Sequence, residues 1–464
     1  MFASAAPPDA APRVDGASPL LWASLIVGMA AALYVAARVA SQSIVIGSVE
    51  GNFFYRYSRP FASSMLWAAV PVLATVVALA YAPRDVGRRH ARWLLIVWFV
   101  AASAHQAQLR TLTPFSYEQM FASDTANSFY GAAKQHRAGA LLRRFDALRR
   151  SLPLHARSNM PGKVLLASAL GAIVSSAGAQ AWLVVMLSNL GAVFLYLLVV
   201  DWLGDCDAAL FAFVLYLYVP AKFYFFPLLN TVTPTFALAW VWLCVRRLRS
   251  RSAAYAASFG LATYGLVLFD PLPIVLGLLL AAIAIESIRA GRVETRGWLR
   301  YSAVALAAFG MVYLLMLATF RFDLFRTFQE LGTEAAAFNV DEERRYGVWA
   351  FQNLLDFGFG AGLCQAALFV ALLIDGVRRI ASSRRLQPIA TLSVGLAAVL
   401  LTVDLLGVNR GEVIRLWTFL ACLWQVPTAV ACARLHSRTA LALVLCATVV
   451  QDALGTAMIG FVSP

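Results

Sequence analysis

Stretches of about twenty mostly apolar residues recur along the chain, and they constrain its fold more than any other feature. A helix needs about 20 such residues to cross a bilayer, where each backbone polar group must be satisfied within its own segment. The stretches lie near residues 18–40, 61–82, 93–110, 181–202, 207–226, 233–247, 253–270, 272–289, 301–320, 357–375, 388–406, 413–433 and 439–460. The sequence therefore predicts an all-α, polytopic transmembrane helical bundle of about thirteen spans.

Composition agrees with a membrane protein and argues against other classes. The 464 residues are 61% hydrophobic and 13% charged, whereas soluble domains carry about 25% charged residues. A net charge of +14 in a soluble chain would suggest a nucleic-acid partner, but arginines in loops between spans account for it here, so we predict no such partner. The six cysteines show no paired spacing, which gives no sign of a disulfide framework or a zinc site.

The arginine-rich loops predict the orientation of the chain. Residues 1–17 form an Ala/Pro-rich tail, and the stretch near 18–40 is too long for a signal peptide, so we interpret it as a retained span. We predict that the chain lies in a bacterial cytoplasmic (inner) membrane with its N-terminus in the cytoplasm. The arginine clusters, which follow second spans along the chain, then all lie in the cytoplasm. The clusters are Arg84, Arg88, Arg89 and Arg92; Arg246, Arg247, Arg249 and Arg251; Arg289, Arg292, Arg296 and Arg300; Arg378, Arg379, Arg384 and Arg385; and Arg434 and Arg438.

This topology leaves two large external segments, 111–180 and 321–356. The apolar stretch 163–179 is short, and counting it as a span would place all later arginine clusters outside, so it is predicted to be an interfacial or partly inserted helix. The first segment is nevertheless basic. One interpretation is a basic amphipathic helix that rests on anionic headgroups. The other is that some of its cations hold a phosphorylated substrate at the membrane surface, and the two are compatible.

An acidic motif, SDTANSFYGAA, follows the third predicted span. Asp124 is a natural N-cap, which predicts a helix start at Thr125. The functional alternative is a carboxylate general base beside the bilayer, and both can hold together. In the predicted helix, Asn127 and Tyr130 would lie on the same side.

Basic and polar residues in the two external segments are further candidates. His155 and Asn159 precede a break at Pro161-Gly162. The second segment contains Arg344-Arg345 flanked by Tyr346 and Trp349. This pattern is typical of an aromatic belt with snorkelling arginines, or of a guanidinium pair that clamps a phosphate.

Two acidic positions lie at predicted external span ends. Glu412 and Arg415 are three residues apart at a helix start and are predicted to pair. Asp270, before a proline, fits an ordinary turn, although ionisable groups at a membrane boundary indicate function. The sequence contains no Walker loop, HExxH or CxxC motif, so no cofactor and no metal ligands are predicted, and dependence on a divalent metal is left open.

Several motifs together resemble the GT-C superfamily of polytopic glycosyltransferases, which includes protein O-mannosyltransferases and the lipid A aminoarabinose transferase. SDTANSFYGAA resembles the acidic motif, HARSNMPGKVLL the His-Pro-Pro-Gly segment, and FFPLLNTVTPT an external turn of that family. RRYGVWAFQNLLDF and GEVIRLW are similar to patterns in bacterial members. The likeness covers roughly 93–433, after a tail and added hairpin at 1–92 and before a last span at 434–464. Two departures are present: Asp124 is followed by threonine, and Asn159-Met160 replaces His-Pro.

The resemblance implies a function at the external face. A sugar would move from a polyprenyl-phosphate donor to a glycan, lipid or protein acceptor, with Asp124 as general base. The donor phosphate would be bound by Arg344, Arg345, Arg157 and Lys163. The substrate-site candidates are Asn127, Tyr130, His155, Asn159, Asp270, Glu412 and Arg415.

Two other function classes stay open. A transporter or flippase of a lipid-linked or small substrate would show charged residues at mid-membrane and broken spans. Such charges are sparse here, and Glu286 and Asp404 lie near predicted span ends. An inactive GT-C homologue would act as a membrane assembly subunit, which the departures from the family motifs allow.

Overall fold

A computed structural model describes residues 18–81, 88–383, 386–435 and 438–464. Within these residues the chain is almost entirely α-helical, which confirms the predicted all-α class. The predicted N-terminal tail and the arginines of 82–87 and 384–385 lie outside the described residues.

The N-terminal part contains three long helices and a small hairpin. The helices are α1 (Pro19–Ala40), α2 (Ser63–Ala80) and α3 (Arg88–Arg110). Between α1 and α2, strands β1 (Ile46–Ser48) and β2 (Phe53–Tyr55) pair antiparallel, with Ile46 opposite Tyr55. The hairpin therefore lies at the end of the bundle where α1 ends and α2 begins.

Short helices follow in the predicted first external segment. They are α4 (Tyr117–Ala122), α5 (Phe129–Gln135), α6 (Ala138–Arg143), α7 (Phe145–Arg149), α8 (Leu154–Arg157) and α9 (Gly162–Ile173). The prediction of a basic amphipathic helix here is wrong, because the basic residues are divided among the short helices α5 to α9 and the turns between them. The predicted interfacial helix exists as α9, but it ends at Ile173, and residues 177–179 begin the next apolar helix.

The middle of the chain forms the central bundle. Its helices are α10 (Ala177–Asn189), α11 (Gly191–Leu203), α12 (Cys206–Leu217), α13 (Pro220–Phe225), α14 (Thr233–Ser250), α15 (Ala253–Phe269), α16 (Gly277–Arg289) and α17 (Thr295–Phe320), with 3-10 turns at Leu229–Val232 and Leu272–Leu276. Local signals set several boundaries: the Asp205 side chain caps α12, and Gly204, with φ of 72°, ends α11 in the left-handed region that favours glycine.

The last third completes the bundle. It contains α18 (Leu324–Asp341), α19 (Tyr346–Ala361), α20 (Leu363–Ser383), α21 (Pro388–Leu405), α22 (Val413–Leu416), α23 (Thr418–Leu423), α24 (Gln425–Arg434) and α25 (Arg438–Met458). Helices α19 and α20 meet at an angle of 110°.

Among the described residues, eight helices are long and apolar enough to cross a membrane, or nine if α19 and α20 form one broken span. The bundle is therefore membrane-like, but a count of about thirteen spans is not confirmed. The remaining predicted spans do form helices: α3 ends in a polar stretch, α14 ends in arginines, α15 has only 17 residues, and 413–433 is divided into three short helices.

Helix α25 connects the two ends of the bundle. Near its start, the Thr439 and Tyr81 hydroxyls are 2.7 Å apart. At its end, the Ser58 amide donates to the Met458 carbonyl at 2.7 Å. Tyr81 and Thr439 lie at the predicted cytoplasmic ends of their spans, whereas Ser58 and Met458 lie at predicted external ends. Span ends that are predicted to be on the same side of the membrane therefore contact each other. This grouping agrees with the predicted alternation of the spans.

Buried apolar side chains form two clusters. The larger fills the bundle, and the smaller lies beneath the short helices, where it includes Phe129, Val164, Phe226, Phe269 and Phe322. The 3-10 turn Leu229–Val232 belongs to the smaller cluster and contacts α22, whose Val413 and Ile414 belong to the larger. The candidate site lies at this junction.

Candidate functional site

A close backbone approach at Gly162 positions the first part of the site. A Cβ at Gly162 would meet the carbonyl of Leu268 and the backbone of Phe269, so only glycine lets the start of α9 lie against the end of α15. This approach places Lys163 beside Asp270, just past the last residue of α15. The Pro161-Gly162 break that the sequence indicated is therefore a packing requirement.

Lys163 and Asp270 form an ion pair that is almost closed to solvent. Lys163 Nζ lies 3.0 Å from Asp270 Oδ2, and the two side chains are 1% and 14% exposed. The ammonium also donates to Asn159 Oδ1 at 2.9 Å, and the Thr233 hydroxyl donates to Asp270 Oδ2 at 2.8 Å. Burial lowers the pKa of Lys163, and the Asp270 carboxylate opposes that shift. Four residues from three distant segments thus share one polar network.

His155 links this network to a second one. The Asn159 amide donates to the His155 carbonyl at 2.9 Å, and the imidazole bonds to the backbone of Thr125. The pKa of His155 is lowered from 6.5 to about 4, chiefly by burial and also by the nearby Arg415 guanidinium, while Glu412 opposes the shift. The imidazole is therefore neutral at pH 7 and can act as a hydrogen-bonding group beside the cations.

The second network is built around Glu412. Its carboxylate pairs with Arg415, as the spacing predicted, and lies 3.5 Å from Arg344 Nη2. Arg344 also donates to the Arg410 carbonyl, and Arg410 donates to the Arg344 carbonyl, each at 2.8 Å. Burial alone would raise the pKa of Glu412, but Arg415 and Arg344 outweigh it and hold the pKa below its usual value. Glu412 is therefore ionised and joins the loop before α22 to the end of α18.

The hairpin covers this network with aromatic groups. The Arg344 guanidinium lies 4.8 Å from the centroid of the Phe53 ring. The Tyr55 hydroxyl is buried without a hydrogen-bond partner. Burial raises the pKa of Tyr55 well above its usual value, and Glu412 adds to the shift. Tyr55 is therefore a neutral phenol with an unsatisfied donor facing a charged cluster.

Asp124 occupies an exposed turn beside these networks. Residues 124–127 form a turn, and the helix begins only at Phe129, after Ser128 with φ of 57°. The predicted helix start at Thr125 is therefore wrong. The turn is instead held by Ser123, whose hydroxyl accepts from the Ala126 amide at 3.0 Å, and by Ser128, whose hydroxyl donates to the Asp124 carbonyl at 2.6 Å. The carboxylate lies over Gly131, and the adjacent Thr125 contacts His155.

Asn127 and Tyr130 do not belong to one helix. Asn127 precedes the helix, is buried, and donates to the Phe121 carbonyl at 2.9 Å. Tyr130 is buried against Phe121, with ring centroids 5.3 Å apart. The predicted helix through both residues is therefore wrong, since Asn127 precedes it, although both side chains pack inward towards Phe121.

The arginines predicted to bind a donor phosphate are separated. Arg344 is buried in the Glu412 network, whereas Arg345 and Arg157 are exposed. Trp349 is fully buried and donates to the Gly51 carbonyl at 3.0 Å, so the predicted interface belt does not include it. Arg344 and Arg345 therefore do not form a side-by-side pair, and the phosphate-binding roles stay a prediction.

Four further residues were missed by the sequence reasoning. Thr233 and Tyr55 lie in the networks above. Lys222 and Asp452 are fully buried in the bundle and add to the sparse charges that the sequence analysis noted within the predicted spans. An ionisable residue inside an apolar stretch, as in PAKFYFF and VVQDALG, is the signal that could have found the last two.

Lys222 and Asp452 have different surroundings. Lys222 Nζ lies 3.2 Å from Asn189 Oδ1 and 3.8 Å from the Tyr216 ring centroid. Both carboxylate oxygens of Asp452 are buried with no hydrogen-bond partner. A buried lone carboxylate is costly, so Asp452 is a candidate functional group within the bundle.

No group of three or more His, Cys, Asp or Glu side chains in the described ranges is arranged to hold a metal ion. Comparison with known proteins gives no matching family model and no matching curated protein.

Proposed function

We propose that the chain is a GT-C-type membrane glycosyltransferase that moves a sugar from a polyprenyl-phosphate donor to an acceptor at the external face of a bacterial cytoplasmic membrane. One observation carries the proposal. Ionisable side chains from three distant segments converge at the end of the bundle where the Asp124 turn is exposed: Lys163, His155, Asp270, Glu412 and Arg415. The thirteen-span topology is part of the proposal, with α3, α14, α15 and the α22–α24 segment as the additional spans.

The proposed reaction uses the exposed carboxylate and the buried cations. An acceptor hydroxyl oxygen attacks the anomeric carbon, the bond from that carbon to the phosphate oxygen breaks, and the phosphate keeps the electron pair. Asp124 takes the acceptor proton. Lys163 and Arg415 would stabilise the growing charge on the phosphate, and the neutral His155, bonded to the Thr125 backbone, would help to hold the Asp124 turn in place. A lipid-linked donor also fits a chain that lacks a nucleotide-binding motif.

The test is turnover of short-chain polyprenyl-phosphate monosaccharides by the purified full-length protein, with membrane extract as acceptor and release of polyprenyl phosphate as the readout. Asp124→Asn keeps the size of the side chain but not its basicity, so the rate should fall by about 10²–10⁴. Asp146→Asn is the matched control, because Asp146 is also an exposed carboxylate in the same segment. Full activity of Asp124→Asn, or no turnover of any donor by the wild type, would refute the proposal.

A second candidate function, transport or flipping of a lipid-linked substrate, is favoured by Lys222, Asp452 and the 110° break between α19 and α20. Buried charges and broken helices are features of transporters. In proteoliposomes, Asp452→Asn and Lys222→Met should then abolish movement of a labelled polyprenyl-phosphate lipid between leaflets, whereas Asp124→Asn should leave it unchanged. The opposite pattern would favour the transferase.

A further inference from the structure

A basic cleft lies at the end of the bundle opposite the candidate site. Helix α14 connects the two, since it begins at Thr233, next to Asp270, and ends at Ser250 beside the cleft. Two adjoining cavities of about 190 and 230 Å³ share Leu248 and Val293 in their walls. They lie between the end of α14 and the loop that joins α16 to α17.

Arginine dominates the polar lining of the cleft. Five arginines line the two cavities against one carboxylate, Glu294: Arg247, Arg251 and Arg300 in the first, and Arg249 and Arg292 in the second. Arg292 pairs with Glu286. The other four arginines face one lining carboxylate, so the cleft is electropositive and presents mainly hydrogen-bond donors.

Arg247 distinguishes this cleft from an ordinary basic membrane boundary. A snorkelling arginine extends its guanidinium into water, but Arg247 is only 6% exposed. Its guanidinium lies 4.9 Å from the centroid of the Phe259 ring, and its Nε is buried without a hydrogen-bond partner. The buried Trp298 Nε1, in the same cavity, is also unpartnered. Two residues that line the first cavity therefore each carry a buried donor without a hydrogen-bond partner.

We propose that this cleft binds a phosphate group, either on an anionic phospholipid or as a free phosphate. A phosphate supplies several acceptor oxygens and matches the planar fork of arginine in two parallel bonds. The adjacent helix α17 exposes apolar side chains, among them Leu306 at 72% and Leu314 at 62%, which gives acyl chains a surface beside the cleft. The proposal does not rest on the proposed transferase activity.

The test measures lipid binding to the purified full-length protein by native mass spectrometry. Dioleoyl phosphatidylglycerol is titrated against zwitterionic dioleoyl phosphatidylcholine, and the wild type should bind the first at least about tenfold more tightly. Arg247→Gln should remove about tenfold or more of that preference, as expected for loss of a charge-assisted hydrogen bond. Arg300→Gln should also reduce it, and because Arg300 is exposed, this variant keeps the test valid if Arg247→Gln does not fold.

Arg289→Gln is the matched control, because Arg289 is exposed in the last turn of α16 at the same end but does not line either cavity. Its lipid preference should equal that of the wild type. Competition by millimolar inorganic phosphate would identify free phosphate as sufficient, and failure to compete would assign the site to a lipid headgroup. Equal preference in the wild type, Arg300→Gln and Arg289→Gln would overturn the proposal.

Discussion

Replacing Asp270 with leucine would leave the Lys163 ammonium buried with a single polar partner. Lys163 is 1% exposed, and without Asp270 it keeps only the hydrogen bond to Asn159 at 2.9 Å. Removing one member of a buried ion pair typically costs about 3–5 kcal/mol, because the remaining charge is uncompensated. We therefore expect Asp270→Leu to lower the free energy of unfolding by an amount in this range.

The reverse change should cost less. In Lys163→Met the carboxylate that remains is 14% exposed and keeps its bond to the Thr233 hydroxyl at 2.8 Å. Loss of one hydrogen-bonding partner of such a group costs about 1–3 kcal/mol. The double variant Lys163→Met/Asp270→Leu leaves no lone charge and should be nearly as stable as the wild type. The coupling between the two positions should therefore be at least about 3 kcal/mol.

Unfolding of the full-length protein in mixed micelles, with a denaturing detergent as the titrant, measures these free energies. Arg326→Met provides the control, since Arg326 forms an exposed pair with Glu330 one helical turn away, and its loss should change stability little. If Asp270→Leu and Lys163→Met had equal effects that simply added in the double variant, the assignment of a buried, coupled ion pair would be refuted.

Three further predictions use other features of the chain. His155 has a pKa of about 4 in the folded protein and of about 6.5 in the unfolded chain. The free energy of unfolding should therefore fall by up to about 3 kcal/mol as the pH is lowered from 6.5 to 4, and melting curves of His155→Gln should lack that loss. Gly162→Ala should destabilise the protein by about 1–3 kcal/mol through overpacking. Gly310 lies inside α17, where an added Cβ would meet no neighbouring atom within 4 Å, so Gly310→Ala should stabilise the protein by about 0.5–1 kcal/mol. Unfolding in detergent measures both changes, and the opposite order would contradict the prediction. Reporter fusions after Arg251 should report cytoplasm and fusions near Arg144 should report the external side, and an external signal at Arg251 would contradict the topology.

The fold class followed from the sequence because span-length apolar runs permit few other structures in lipid. The span count did not, and α14 illustrates the reason. This helix forms over Thr233–Ser250, but its last turns carry arginines, so hydropathy alone cannot decide how much of it lies in the hydrocarbon. The stretch near 413–433 is mostly apolar and of span length in sequence, yet it folds as three short helices that are buried by neighbouring parts of the chain. Tertiary packing, which local sequence patterns do not reveal, decides whether such a stretch forms one long helix or several short ones.

Several residues of the candidate site could be predicted one at a time from the sequence, but the long-range ion pair between them could not. Asp270 and Glu412 could be marked as ionisable groups at predicted span ends, and the local Glu412–Arg415 pair followed from spacing three residues apart. The Lys163–Asp270 pair joins positions 107 residues apart, and no local pattern specifies such a contact. The arrangement of Arg344 and Arg345 could not be predicted for a related reason: adjacent residues at a loop-to-helix junction need not point the same way, and Arg344 turns inward to Glu412.

The pairing of the buried cations bears on the chemistry that the site can support. Lys163, Arg344 and Arg415 contribute three positive charges, and Asp270 and Glu412 contribute two negative ones, so these groups together have a net charge of +1. A sugar-phosphate diester carries one negative charge, which this surplus would balance without displacing either carboxylate. The leaving monophosphate carries more charge, so electrostatic stabilisation would grow as the bond to the sugar breaks. A cluster that is mostly neutralised before the donor binds is therefore compatible with catalysis, and it costs less to bury than a group of free cations.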